Sequence, residues 1–254
     1  MNRLSSKLAD DGAVVSAWLG LQDPMYAAQI AALGFDAVAW DMQHNMATET
    51  SVVQGLAAVA PSGLPGIVRI PVGRFEMASK ALDAGAHMII APMINSVEDA
   101  RTLAAYCKYP PVGERSYGVT YASALLSTTP GDYVAAADRD TYCIPMVETV
   151  QAMEVLDDIL AIDGIDGVFC GPSDLSISIA NEPKPTPFGD SSIAQVREIA
   201  EKARAAGKLA CTYCAGPETA NLAHEMGYRF MALGGDPAYL KRGTDALLGG
   251  ISFR

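Results

Sequence analysis

With 254 residues, half of them hydrophobic and 19% charged, the chain can bury one large core and matches the roughly 250 residues of a (β/α)8 barrel. Its 29 acidic against 18 basic side chains, a formal net charge of −11, argue against a nucleic-acid partner, because phosphate binding needs a basic surface. No apolar run approaches the roughly 20 residues of a membrane span. The N-terminus Met1-Asn2-Arg3-Leu4-Ser5-Ser6-Lys7 lacks a secretory apolar segment. Five cysteines without framework spacing point to a reduced, cytoplasmic compartment.

Eight short apolar runs follow in chain order, near 14–19, 37–41, 66–70, 87–92, 142–147, 167–170, 209–213 and 229–233. Each precedes a helical candidate, and Pro24, Pro217 and Pro237 suit early helix positions. Several runs are introduced by a glycine, as in Gly34-Phe35-Asp36 and Gly85-Ala86-His87, where a helix end favours a left-handed residue. Near-continuous apolar strands alternating with helices predict a parallel sheet covered by helices. The spacing predicts one domain over residues 1–254, a (β/α)8 TIM barrel. Two segments break the rhythm, 109–133 and 181–190, and both are expected to cover the mouth of the barrel.

A barrel enzyme builds its site from the residues that follow each strand. After the second run come Asp41, Gln43 and His44; the third carries Arg69; the fifth ends at Glu148; the sixth leads through Gly171-Pro172-Ser173 to Asp174. Glu148 and Asp174 suit a hard cation, which takes one or two carboxylates and keeps several waters; for Asp174, helix capping is the competing reading. Asp41 is placed to orient the His44 imidazole as an acid–base pair. Arg69, in an otherwise apolar strand, must meet a carboxylate, structural or belonging to a substrate, and its place at the barrel mouth favours the substrate. Arg74 and Arg115 are expected on solvated loops, His87 in the core and His224 facing solvent. Cys211-Thr212-Tyr213-Cys214 resembles a redox CxxC, but residues three apart in a strand face opposite sides, which makes the pair structural.

These residues also carry a resemblance. Trp18-Leu19-Gly20-Leu21, Asp41 with His44, Val68-Arg69, Leu82-Asp83-Ala84-Gly85-Ala86, Tyr109-Pro110-Pro111-Val112-Gly113-Glu114-Arg115, Val147-Glu148 and Gly164-Ile165-Asp166-Gly167-Val168-Phe169-Cys170-Gly171-Pro172-Ser173-Asp174-Leu175-Ser176 occur in this order. Together, from Trp18 to about Gly235, they resemble the HpcH/HpaI aldolase/citrate lyase family of metal-dependent pyruvate aldolases. The resemblance implies a barrel of the phosphoenolpyruvate/pyruvate-domain type and a homohexamer that exchanges its last helix. It also implies a divalent metal on Glu148 and Asp174, Mg²⁺ or Mn²⁺ ahead of Co²⁺ or Zn²⁺. By the same resemblance Arg69 holds the keto oxygen of pyruvate, Asp41 and His44 form the acid–base dyad, and Gly171, Pro172 and Ser173 receive the carboxylate. Trp18 and Asp83 stand near the site in relatives. Gln43 and Met146 depart from the family pattern, which has glutamate and glutamine at these positions, and bear on the surroundings of the metal.

The expected reaction is reversible cleavage of a 4-hydroxy-2-oxo acid into pyruvate and an aldehyde. No lysine stands at a strand end, which argues against an imine mechanism. The competing readings are an acyl-CoA lyase or oxaloacetate decarboxylase on the same scaffold, and a barrel that binds a ligand without catalysis. The long loop 109–133 and a neighbouring subunit are expected to line the aldehyde end.

Overall fold

The structure is a computed structural model that describes residues 3–252; Met1 and Asn2 of the terminus read above lie outside them. Eight strands form a closed barrel in sequence order. They are β1 (Val14–Leu19), β2 (Ala37–Asp41), β3 (Gly66–Arg69), β4 (Met88–Ala91), β5 (Tyr142–Val147), β6 (Gly167–Cys170), β7 (Leu209–Cys214) and β8 (Phe230–Leu233). All are parallel, and β8 closes on β1 with Phe230 beside Val14 and Ala232 beside Ser16. The eight apolar runs of the sequence are these strands, displaced by no more than a residue or two at their ends.

The strands are apolar on both faces because both faces are buried. Inward residues such as Ala39, Ile67, Met88, Ile144, Phe169, Cys211 and Phe230 fill the barrel, and Leu4 of the N-terminal helix packs with them. Outward residues such as Val38, Val68, Ile89, Val168 and Cys214 meet the surrounding helices. Cys211 and Cys214 therefore belong to different layers and are free thiols; burial pushes the Cys214 thiol up to about 12. The pair is structural, as the strand alternation predicts.

Pro24 and Pro217 open their helices and Pro237 stands in the first turn of Asp236–Gly249, where a missing N–H costs no helical bond. Gly227, with φ 104°, ends the helix before β8 in the left-handed region. The helix that follows a strand and leads to the next one carries the chain back from the C-terminal ends of the strands to the N-terminal ends. That direction decides the fate of the two irregular segments.

Residues 109–133 do not cover the mouth. They follow the descending helix Val97–Cys107 and fold at the opposite end of the barrel, where the Leu125 side chain approaches Gly85 and the Tyr133 hydroxyl donates to the Leu82 carbonyl. Arg115, expected in solvent, is buried there. Its Nη2 donates to Asp83 at 2.7 Å and to the Tyr133 hydroxyl at 3.1 Å, and its guanidinium lies 4.6 Å from the Tyr109 ring centre. Asp83 closes the helix Glu76–Asp83 just before β4, so in its own chain it stands away from the mouth. Residues 181–190 form a largely exposed link between the helices Pro172–Ala180 and Ile193–Ala205. Arg74 is exposed and pairs with Glu76, and His224 is exposed. His87 accepts the Gly66 N–H at Nδ1, a satisfied histidine as expected, but half-buried just before β4 and not in the core.

Candidate active site

A cavity of about 300 Å³ opens at the C-terminal ends of the strands. It is lined by Trp18 of β1 and Gly20 just beyond it, by Asp41 at the end of β2 with His44 and Asn45 after it, by Arg69 of β3, and by Gly171 to Asp174 after β6. Most of the residues singled out from sequence thus meet in one place. Gln43, Asp83 and Glu148 are not in its lining.

Asp41 and Arg69 end adjacent strands and are Cα partners in the β2–β3 ladder. Arg69 donates through Nε to Asp41 Oδ1 at 2.7 Å and through Nη2 to Oδ2 at 2.6 Å. Both side chains are almost wholly enclosed, so this fork supplies the carboxylate that a buried arginine requires. Burial by itself would raise the Asp41 carboxyl, but the hydrogen bonds and charge of Arg69, with the Gln43 N–H and the Asn45 amide, hold it below its ordinary value. Arg69 Nη1 is left with only the Met146 sulfur, at 4.0 Å. The Trp18 ring lies 4.9 Å from the guanidinium carbon, which favours the cation.

The expected Asp41–His44 side-chain pair is not formed. Asp41 Oδ1 accepts the backbone N–H groups of Gln43 at 3.0 Å and His44 at 3.4 Å, and Oδ2 accepts Asn45 Nδ2 at 2.5 Å. Its lone pairs are committed to Arg69 and to the turn itself. Asp41 therefore shapes the turn that carries His44, and the exposed imidazole remains open toward the cavity. Gln43 turns inward, with Oε1 buried and unbonded.

Glu148 follows β5 and is buried behind Gly171. Its Oε1 accepts the Met93 N–H at 2.7 Å, whereas Oε2 is buried with no partner among the described residues. A Cβ at position 171 would collide with that oxygen, so glycine is required there by close approach. Burial raises the Glu148 carboxyl to about 7; the Met93 N–H and Arg69 lower it, and the charge of nearby Asp174 adds to the rise. Asp174 is exposed in the first turn of Pro172–Ala180, whose N-cap is Gly171 without a side-chain cap. Its carboxylate is not the N-cap, and as the acid of the first turn it also suits the positive end of the helix. Among the described residues no group of three or more His, Cys, Asp or Glu gathers as a metal cage. An orphaned, buried carboxylate oxygen beside a second carboxylate fits a hard cation that retains most of its waters.

Sequence reasoning overlooked Asn45, Phe169, Tyr213 and Asp236, which also line the cavity. Asp236 carried the same signal as the others, an acid just past an apolar run, Phe230–Leu233, and the Gly234-Gly235 turn. Tyr213 was hidden in the CxxC run. Its ring meets Trp18 edge-on at 6.1 Å.

The fold is that of a (β/α)8 barrel, and the family and relatives to which the chain is similar make it an enzyme of the carbon–carbon lyase class. The chain belongs to the HpcH/HpaI aldolase/citrate lyase family, which residues 15–241 match. It is 34% identical over 243 residues to a hydroxypyruvate/pyruvate aldolase of Roseovarius nubinhibens, covering 94% of this chain and 92% of the relative. A 4-hydroxy-2-oxo-heptane-1,7-dioate aldolase of Klebsiella pneumoniae is 32% identical over 233 residues, covering 92% and 87%. A solved HpcH/HpaI aldolase/citrate lyase family protein from Burkholderia cenocepacia superposes with a TM-score of 0.87 at 27% identity, covering 98% of each chain. No helix among the described residues is long and apolar enough to cross a membrane.

Proposed function

We propose that the chain is a divalent-metal-dependent pyruvate aldolase that cleaves a 4-hydroxy-2-oxo acid reversibly to pyruvate and an aldehyde. The observation that carries this reading is the gathering of Arg69, His44 and the Gly171–Asp174 turn in one cavity, with the unpartnered oxygen of Glu148 directly behind Gly171. The names of the relatives, pyruvate and 4-hydroxy-2-oxo acid aldolases, support the same class.

Glu148 and Asp174 would hold the ion. When bound, it supplies Lewis-acid stabilisation of the negative charge that develops on the 2-oxo acid. The chain's own residues do the rest. The first N–H groups of the helix Pro172–Ala180 have no intrahelical acceptor and sit at its positive end, which suits the substrate carboxylate. Arg69, held rigid by Asp41, directs Nη1 at the keto oxygen and stabilises the enolate as the C3–C4 bond breaks. His44 takes the proton of the C4 hydroxyl, so the electron pair of that O–H bond forms the aldehyde carbonyl. The pair from the C3–C4 bond passes into the enolate, which is protonated at C3 to give pyruvate. In the lining, Arg69 and His44 are the only basic side chains, which suits a small acid better than the phosphates of an acyl-CoA.

The exposed Leu240, Leu247 and Leu248 of the last helix support self-association, for which the family resemblance suggests a hexamer. The deciding experiment measures pyruvate release from 4-hydroxy-2-oxo acids with and without a chelator. Activity should disappear on chelation and return with Mg²⁺ or Mn²⁺; undiminished activity with chelator present would sink the metal assignment.

A further inference from the structure

The C-terminal helix touches the cavity wall through contacts that the proposed chemistry does not use. Within Asp236–Gly249 the only buried residue is Asp236, which is 4% exposed. Its Oδ2 accepts the N–H groups of Gly20 at 2.5 Å and Leu21 at 2.9 Å, the two residues just beyond β1. Its Oδ1 is buried next to the equally buried Tyr26 hydroxyl. One turn further on, the Tyr239 hydroxyl accepts the Trp18 N–H at 3.0 Å and donates to the Leu233 carbonyl at 2.5 Å. The start of the helix is thus fastened to the end of β1 at three of the four amides from Trp18 to Leu21.

A carboxylate accepting backbone N–H groups makes bonds roughly twice as strong as a neutral acceptor would. What those bonds hold matters for the site. Gly20 and Asp236 line the cavity together with Asn45. Gly20 lies so close against the Asn45 side chain that a Cβ on it would overlap that residue. Asn45 in turn bonds Asp41 Oδ2 and follows His44 directly in the chain. Displacement of Gly20 would therefore remove the support behind the turn that carries the imidazole.

We propose that Asp236 is a positioning residue: by pinning the Gly20–Leu21 amides it holds the His44–Asn45 turn at the end of the cavity where the aldehyde departs. This rests on the aldolase reading of the same site. Asp41 shares Oδ2 between Asn45 and Arg69, but Arg69 keeps its second bond to Oδ1 and its place in the β2–β3 ladder, and the Gly171–Ser173 turn stands after β6, so the pyruvate end should be insensitive to Asp236.

The test compares wild type with Asp236→Ala, Asp236→Ser and Asp236→Asn in Mn²⁺. Pyruvate affinity, measured by calorimetry, is expected to stay within about twofold in all three variants. The kcat for cleavage of a 4-hydroxy-2-oxo acid is expected to fall about tenfold or more in the alanine and serine variants, since small misplacements near the chemistry are costly. Asp236→Asn, which keeps an acceptor oxygen, is expected to recover to within about threefold. Amide hydrogen exchange should accelerate at Gly20 and Leu21 in the alanine and serine variants and remain slow along β1. The serine variant carries the same expectations should the alanine variant not fold. Unchanged exchange and turnover overturn the proposal. A proportional loss of pyruvate affinity and turnover also overturns it, because that marks general loosening. A wild-type protein that cleaves no 4-hydroxy-2-oxo acid would overturn the aldolase reading instead, and the exchange data would still decide whether Asp236 pins the wall.

Discussion

Asp41 and Arg69 face each other on the last rung of the β2–β3 ladder and close through two hydrogen bonds of 2.7 and 2.6 Å. The pair is buried, so removing either partner strands a charge, whereas removing both does not. Asp41→Ala and Arg69→Ala should each cost about 3 kcal/mol of stability. The double variant should lose clearly less than the sum, as residues in direct contact are not additive. Urea unfolding of the four proteins measures the cycle, and additive losses would show that the pair is not coupled.

His44→Ala should slow cleavage by about 10²- to 10⁴-fold, the range for a lost acid–base group. Because Asp41 bonds only the backbone of His44, the substitution should leave the Asp41–Arg69 pair and the response to Mn²⁺ intact. Turnover and Mn²⁺-dependent melting, measured on the same preparation, separate the two effects. A joint loss would make His44 a structural residue.

If Glu148 and Asp174 hold the cation, Mn²⁺ at about 100 times its dissociation constant should stabilise the folded chain by about 2.7 kcal/mol. Glu148→Gln and Asp174→Ala should each abolish most of that increment. Gly171→Ala should do the same, since its new methyl group would meet Glu148 Oε2. Thermal melts with and without Mn²⁺ read this without any substrate, and an equal shift in all four proteins would disprove the ligand set.

Burial pushes the His87 imidazole down to about 4 from 6.5, with the charge of Asp140 working the other way. The unfolded chain therefore takes up this proton first as pH falls. The stability associated with neutral His87 is fully present above about 6.5 and is lost on descending toward about 4, by at most about 3 kcal/mol. His87→Gln keeps an acceptor for the Gly66 N–H and does not titrate. Its unfolding free energy should decline less between pH 7 and pH 4.5 than that of wild type; identical slopes would exclude His87 as a contributor.

Much of the site was legible because its signals are local. Arg69 stands out in an apolar strand, Asp41 ends an apolar run, Glu148 follows one directly, and Asp174 follows one after Gly171-Pro172-Ser173. Asp236 offered the same signal and went unread because no second motif surrounds it. Arg115 and Tyr213 were illegible for a different reason. Whether a loop arginine is enclosed depends on Asp83, Tyr109 and Tyr133 arriving from separate segments, and whether a strand tyrosine lines a cavity depends on which face turns inward.

The eight strands, the helices between them and the end of the barrel at which the acids and Arg69 collect follow from local pattern in the chain. Apolar alternation, proline and glycine are short-range constraints, and parallel strands joined by returning helices put all C-terminal ends on one side. Long-range packing sets the partner of Asp41, which clasps Arg69 in place of the His44 imidazole. The same packing alone places residues 109–133 at the far end, Glu148 behind Gly171, and Asp236 against Gly20. Each of these is a pairing between segments distant in the chain, set by strand register and barrel closure, and such pairings are formed only when the barrel closes.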